Sequence, residues 1–238
     1  MDLRKCYYQM QEILGPEYQE PFDVVQAVEE YRQYWKPKNI KIILLAESHV
    51  YTTLEDFQNI FESPPSILPN YPKNYVRFIY CINYGASNTG QRNSHNKWGT
   101  PQFWKIFFST LKHITKNSDF SPTKSFDNKL KILKEMKEKG IWLVDASISG
   151  LYVPGGSKPN SKKVKEAILC SWEGFVKNVI EECQPEKLII IGKTVWKTMY
   201  PILPSNLRAK ADWIYQPNAH LSGDEHINNF QKLYKLCN

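Results

Sequence analysis

"IKIILLAESHVYTT", residues 40–53, opens as an uninterrupted aliphatic run and closes on Ala46-Glu47-Ser48-His49. A run of Ile and Leu without alternation suits a strand covered on both faces, as in a parallel sheet. Similar runs are "VRFIYCI" (76–82), "IWLVDA" (141–146), "KLIIIG" (187–192) and "DWIYQ" (212–216). Helical spacing of apolar residues marks 21–35, 101–114, 163–183 and 225–236. Strands alternating with helices predict an α/β chain, a three-layer α/β/α sandwich.

In open parallel sheets ligands bind beyond the C-terminal ends of the strands. Those ends carry Glu47-Ser48-His49, Asp145-Ala146-Ser147, Gly192-Lys193 and Gln216-Pro217-Asn218-Ala219-His220. Polar groups following several strands in succession predict one shared pocket. Each stretch also has a plainer reading. Glu47 and His49 suit ordinary turn or capping work. Asp145 suits a helix cap, a metal ligand or a base-binding group. Asp224 suits the first turn of the last helix. Lys158, Lys162, Lys163 and Lys165, beside Ser157, Asn160 and Ser161, suit a solvated face or a phosphate grip.

Composition narrows the partner. The formal net charge of +7 favours an acidic one, most commonly nucleic acid. The five cysteines are scattered, with no C-x-x-C pair, which argues against a disulfide framework and a zinc ribbon. His220, His226, Asp224 and Glu225 cluster without H-E-x-x-H spacing, so no metal is expected. No apolar run approaches the ~20 residues that span a bilayer, and the first residues lack a signal-peptide core. An intracellular chain is expected, cytoplasmic or, in a eukaryote, nuclear. Polar loops occupy 62–74, 84–101 and 152–163, and loops of this length often carry function.

Taken in order, these segments resemble the uracil-DNA glycosylase superfamily. "IILLAESHV" stands where that family has a strand running into a GQDPYH- or GEAPG-type loop. "GIWLVDA" stands for its GVLLLN-type strand, "SWEGFVKNVI" for its G-W-E-x-F helix, and "LIIIGKTVWKTM" for its strand ending in W-G. "QPNAHLSGDEHINNFQKLYKL" stands for HPSPLS and the helix after it, and "FWKIFFSTL" is similar to the F-W-K helix of the mismatch-type branch. The likeness covers residues 40–236. Residues 1–37, an N-terminal helical extension to a single domain over 1–238, have no counterpart.

The resemblance implies a mainly parallel four-stranded sheet, no cofactor, a monomer, and a DNA-repair hydrolase that flips a damaged or deaminated base and cleaves its N-glycosidic bond. The family's water-activating Asp falls on Ser48, the Gln or Glu before it on Glu47, and the Pro after it on His49. The base-reading Asn falls on Asp145, the His of HPS on Gln216 and its Ser on Asn218. The catalytic letters are largely replaced while the frame stays.

Expected roles follow. Glu47 stabilises the sugar cation, with His49 assisting or acting as base. Gln216, Asn218 and His220 stabilise the departing base. Asp145 and Ser48 face the base, and Trp98 or Tyr84 stacks on it. Lys158, Lys162, Lys163 and Lys193 contact phosphates, and Leu221 fills the vacated stack. An ionised Asp145 offers acceptors only, which disfavours uracil. The rivals are a catalytically inactive nucleic-acid-binding protein on the same frame and a small-molecule α/β enzyme.

Overall fold

Two of the aliphatic runs become fully buried strands, and a third is buried after its first residue, because both of their faces are covered. The computed structural model describes residues 2–15, 18–58, 68–84, 102–153 and 159–238. In chain order the elements are α1 (Leu3–Leu14), α2 (Phe22–Tyr34), β1 (Ile42–Ala46), α3 (Leu54–Phe57), α4 (Phe103–Leu111), α5 (Phe126–Glu138) and β2 (Ile141–Asp145). They continue with α6 (Ser161–Ser171), α7 (Lys177–Cys183), β3 (Lys187–Ile191), α8 (Lys193–Met199), α9 (Ser205–Arg208), β4 (Ala211–Ile214) and α10 (Gly223–Cys237). Among these residues no helix is long and apolar enough to cross a membrane.

The four strands form one parallel sheet in the order β2-β1-β3-β4. Helices cover both faces, so the architecture is the expected three-layer α/β/α sandwich around a four-stranded sheet. Crossovers between parallel strands are right-handed. The step from β1 to β2 runs opposite to the steps from β2 to β3 and from β3 to β4, so the connecting helices fall on opposite faces. Helices α4, α5 and α10 pack together, and so do α1, α6 and α8. The direction reverses between β1 and β3, and a crevice opens at the C-terminal edge at such a switch point.

One expected strand is absent. Residues 76–82 are turns, with Cys81 N–H donating to Phe78 C=O at 2.9 Å and Tyr84 N–H to Cys81 C=O at 2.8 Å. All seven residues are buried, which is what misleads a reading by hydrophobicity. Side chains supply the partners that a ladder would have supplied. The Tyr71 hydroxyl donates to Tyr80 C=O at 2.7 Å and accepts from Ile82 N–H at 2.8 Å. Thr52 Oγ1 accepts from Arg77 N–H at 2.8 Å. The Tyr80 hydroxyl in turn accepts from Leu143 N–H at 2.8 Å, which satisfies part of the edge of β2.

The four helical patterns appear as α2, α4, the α6–α7 segment and α10. Between α6 and α7 the backbone widens into a π turn at Trp172–Val176. Gly174 lies there against α1, where a Cβ would stand 2.7 Å from Cys6 Sγ. The close approach of the two helices therefore requires a residue without a side chain at 174. The cysteines are all free thiols.

Candidate functional site

A cavity of about 300 Å³ opens at the crevice between β1 and β3. Glu47 and Ser48 line it from the end of β1, Asp145 from the end of β2, and Gln216 and Asn218 from the turn after β4. Apolar and aromatic side chains complete it, chiefly Phe78, Ile79, Tyr84, Phe103 and Ile191. Groups from four strand ends thus converge as the parallel reading requires. The cavity is at the small end of ligand pockets and on the scale of one flat ring with its sugar.

Glu47 is half-buried, and its Oε2 accepts from the Tyr152 hydroxyl at 2.5 Å. That bond fixes the carboxylate at the pocket wall. Burial first, and Glu47 second, hold the Tyr152 phenol well above its ordinary range, so it remains a donor.

His49 is placed differently from expectation. Its imidazole has no solvent exposure, and its Nε2 lies 2.8 Å from Glu20 Oε2. Its Nδ1 lies 3.7 Å from Asp145 Oδ2. Burial alone would push the imidazole down, but the carboxylates of Glu20 and Asp145 outweigh it and raise the ring to about 9. An imidazole paired with Glu20 and facing Asp145, with no solvent exposure, is placed to position the loop rather than to take a proton from water.

Asp145 is held in a similar way. It is buried, and its Oδ2 accepts from Arg32 Nη2 at 3.0 Å. One carboxylate oxygen is thereby committed to the ion pair, while the residue also lines the cavity. Arg32 pairs at its other end with Glu29 and lies 5.3 Å from the Phe78 ring.

Glu20 anchors the whole group. Its carboxylate accepts from Thr52 N–H at 2.6 Å, Gly150 N–H at 2.7 Å and the Ser149 hydroxyl at 3.2 Å, besides facing His49. A carboxylate with this many donors is well compensated for its burial. At Gly150 a Cβ would stand 2.6 Å from Tyr51 N, so the approach that lets Gly150 reach Glu20 excludes any side chain. The result is a buried rack, Glu20–His49–Asp145–Arg32, directly behind the segment that presents Glu47 and Ser48.

The remaining expected residues divide clearly. Ser48, Tyr84, Gln216 and Asn218 line the cavity. His220 is exposed and Leu221 half-buried, and neither lines it. They lead into α10, whose cap is Ser222 in a reciprocal pair with Glu225, with Asp224 in the first turn as expected. Lys193 is exposed at the start of α8. Lys162 is exposed, 3.9 Å from Glu166. Lys163 is committed elsewhere: its Nζ donates to Leu14 C=O at 3.0 Å and lies 5.8 Å from the Tyr18 ring. Trp98 and Lys158 lie outside the described residues. Among the described residues no cluster of His, Cys, Asp and Glu is arranged to hold a metal ion.

Sequence reasoning missed Glu20, Arg32 and Tyr152. Arg32 did leave a trace. It occupies the apolar stripe of α2, with Val25, Val28 and Trp35 on the same buried face. A cation in such a stripe must have a buried partner. Glu20 left none, because its partners lie 29 to 130 residues away.

The rack gives a pH dependence with a defined sign. His49 is held above its ordinary 6.5, at about 9. Its contribution to stability is complete below about 6.5 and is lost as pH rises through about 9. Lys129, pulled by burial down to about 8, acts with the opposite sign in the upper part of that window. The difference between wild type and His49→Gln isolates the first effect. The urea midpoint gap between them should shrink steadily from pH 6.5 to pH 9.5. A gap independent of pH would show that His49 is not charged in the fold.

Comparison with family models, curated proteins and solved structures finds no match to this chain.

Proposed function

We propose that the chain is a base-excision hydrolase, which takes a flipped base of DNA into the cavity at the β1–β3 crevice and hydrolyses its N-glycosidic bond. The observation that carries this reading is the placement of the Glu47 carboxylate. It is fixed by Tyr152 in a ring-sized cavity, with aromatic walls and the amides of Gln216 and Asn218 lining the same space. The order of motifs resembling uracil-DNA glycosylases supports it independently, as does the positive net charge.

The chemistry asks for these groups. A base must leave its stack to be reached, at a cost of a few kcal/mol. Phe78, Phe103 and Tyr84 offer apolar faces to receive it. The C1′–N bond breaks with its electron pair going to the base, leaving an oxocarbenium-like sugar. The Glu47 carboxylate stabilises that cation electrostatically. Gln216 and Asn218 donate to the departing base. Water adds its oxygen to C1′, and its proton passes to the base or to solvent. His49 and Asp145 take no part in these transfers; with Glu20 and Arg32 they hold the Glu47–Ser48 segment in place.

The test is incubation with oligonucleotides carrying a panel of deaminated and alkylated bases, followed by alkali cleavage. Strand breaks at one class of modified base are expected. Binding without breaks on every substrate would support the non-enzymatic reading. The absence of any salt-dependent binding would support a small-molecule enzyme.

A further inference from the structure

The outer edge of the sheet carries a column of aromatic rings that the cavity does not use. Trp196 and Tyr200 stack with centroids 4.2 Å apart and planes 29° apart. Trp196 and Trp213 lie 6.3 Å apart at 24°, and Trp213 meets Tyr215 edge-on at 4.8 Å. The placement follows from local geometry. Trp196 and Tyr200 are one helical turn apart, and Trp213 and Tyr215 are two residues apart along β4 and just beyond it, so each pair shares a face. β4 is an edge strand, and none of the four rings is fully buried. Tyr200 is 37% exposed.

The stretch of chain that carries these rings is rich in cations. Between Lys187 and Tyr215 the chain has five cations, Lys187, Lys193, Lys197, Arg208 and Lys210, and one acid, Asp212. Asp212 is itself paired with Lys232 at 2.7 Å. Arg208 donates to the carbonyls of Pro201 and Leu203, and Lys210 to that of Pro185, contacts that fix these cations without neutralising them. Arg208 lies 5.8 Å from the Tyr200 ring and Lys232 5.9 Å from the Trp213 ring. Lys193 and Lys197 are exposed.

A pile of stacked rings that ends in an exposed one, Tyr200, beside basic side chains matches one class of partner. Unpaired bases stack on aromatic faces while their phosphates follow the cations. A duplex keeps its bases inside and gives such rings nothing to stack on. The column ends next to the cavity in the chain, because Tyr215 is followed by Gln216, which lines it. We infer that the Tyr215–Trp213–Trp196–Tyr200 edge is a binding track for single-stranded nucleic acid, leading to the cavity mouth. The track rests on the proposed function for its biological use, but its binding needs no base hydrolysis.

The experiment is tryptophan-fluorescence titration of the full chain with oligothymidylate, which carries no modified base, and with a duplex of equal length. Quenching by the single strand is expected. Tyr200→Ala should weaken that binding by roughly five- to a hundredfold, the range for loss of one stacking platform, and leave duplex binding unchanged. Tyr200→Phe should restore it, and Lys197→Ala should reduce its salt dependence. Oligothymidylate carries no base to be released, so failure of base release and failure of the track are read separately. Thermal melting checks that each variant is folded. Wild type that does not bind oligothymidylate, or folded Tyr200→Ala and Lys197→Ala variants that bind it unchanged, would overturn the track. So would quenching by anionic vesicles or protein alone.

Discussion

Glu47→Gln should lower base release by roughly a hundredfold or more while leaving DNA affinity intact. The substitution keeps the shape of the side chain and its ability to accept from Tyr152, but removes the charge that faces the sugar cation. Loss of preorganised electrostatic stabilisation in a water-poor site typically costs about two to three decades in rate. Binding should survive or tighten, since the charge removed is negative and the partner is an anion. Tyr152→Phe is the companion variant. It leaves the carboxylate in place but frees its orientation, so its effect should be smaller and of the same kind. Single-turnover rates on the best substrate of the panel measure both. Equal rates for wild type and Glu47→Gln would make Glu47 a structural residue.

Glu20→Gln should be the most destabilising of the conservative substitutions. It removes the counter-charge of His49, and presents an amide NH2 to groups that are themselves donors: Thr52 N–H, Gly150 N–H and the Ser149 hydroxyl. Breaking a buried ion pair by removing one partner costs about 3–5 kcal/mol. For a chain of this size that is a fall in Tm of roughly 6–20 °C. The effect should not add to that of His49→Gln, because the two residues act through one contact. Asp145→Asn belongs to the same class. Arg32 would keep only Glu29, so lost stability should precede any change in base preference. Denaturation of the single and double variants checks both statements. Fully additive losses would show that Glu20 and His49 are independent.

How much of this could be read from the sequence depended on the range of the interaction. Strands β1, β2 and β3 were legible because burial on both faces leaves an unbroken aliphatic run. From their order came the edge where Glu47, Gln216 and Asn218 meet. Residues 76–82 share the same composition and so read as a strand. Their backbone groups are satisfied by the hydroxyls of Tyr71 and Thr52, and periodicity carries no sign of that. The rack was illegible for a different reason. Arg32 and Asp145 are 113 residues apart and Glu20 and Gly150 are 130 apart, so no local pattern links them. The segment before residue 37 reads as an appendage in the sequence because it has no counterpart in the motifs. It contributes the two charges, Glu20 and Arg32, that fix the chemistry of His49 and Asp145.

The role of that rack changes what a pocket residue means here. His49 and Asp145 occupy the positions where the resemblance implies working groups, yet their charges are spent on each other and on the N-terminal segment. Of the expected working groups outside that rack, Glu47, Ser48, Tyr84 and the two amides line the cavity. If Gln216 and Asn218 receive the departing base, turnover should be slow, because a neutral amide stabilises it less than a cationic donor does.

The most direct measurement is the appearance of free base. Wild-type protein is incubated in excess over an oligonucleotide bearing the preferred modified base, and the liberated base is quantified by chromatography alongside Glu47→Gln. Stoichiometric release by wild type, with at most about a hundredth of that rate in the variant, is the predicted result. Tight binding of the same oligonucleotides by wild type with no free base from any member of the panel would contradict the account.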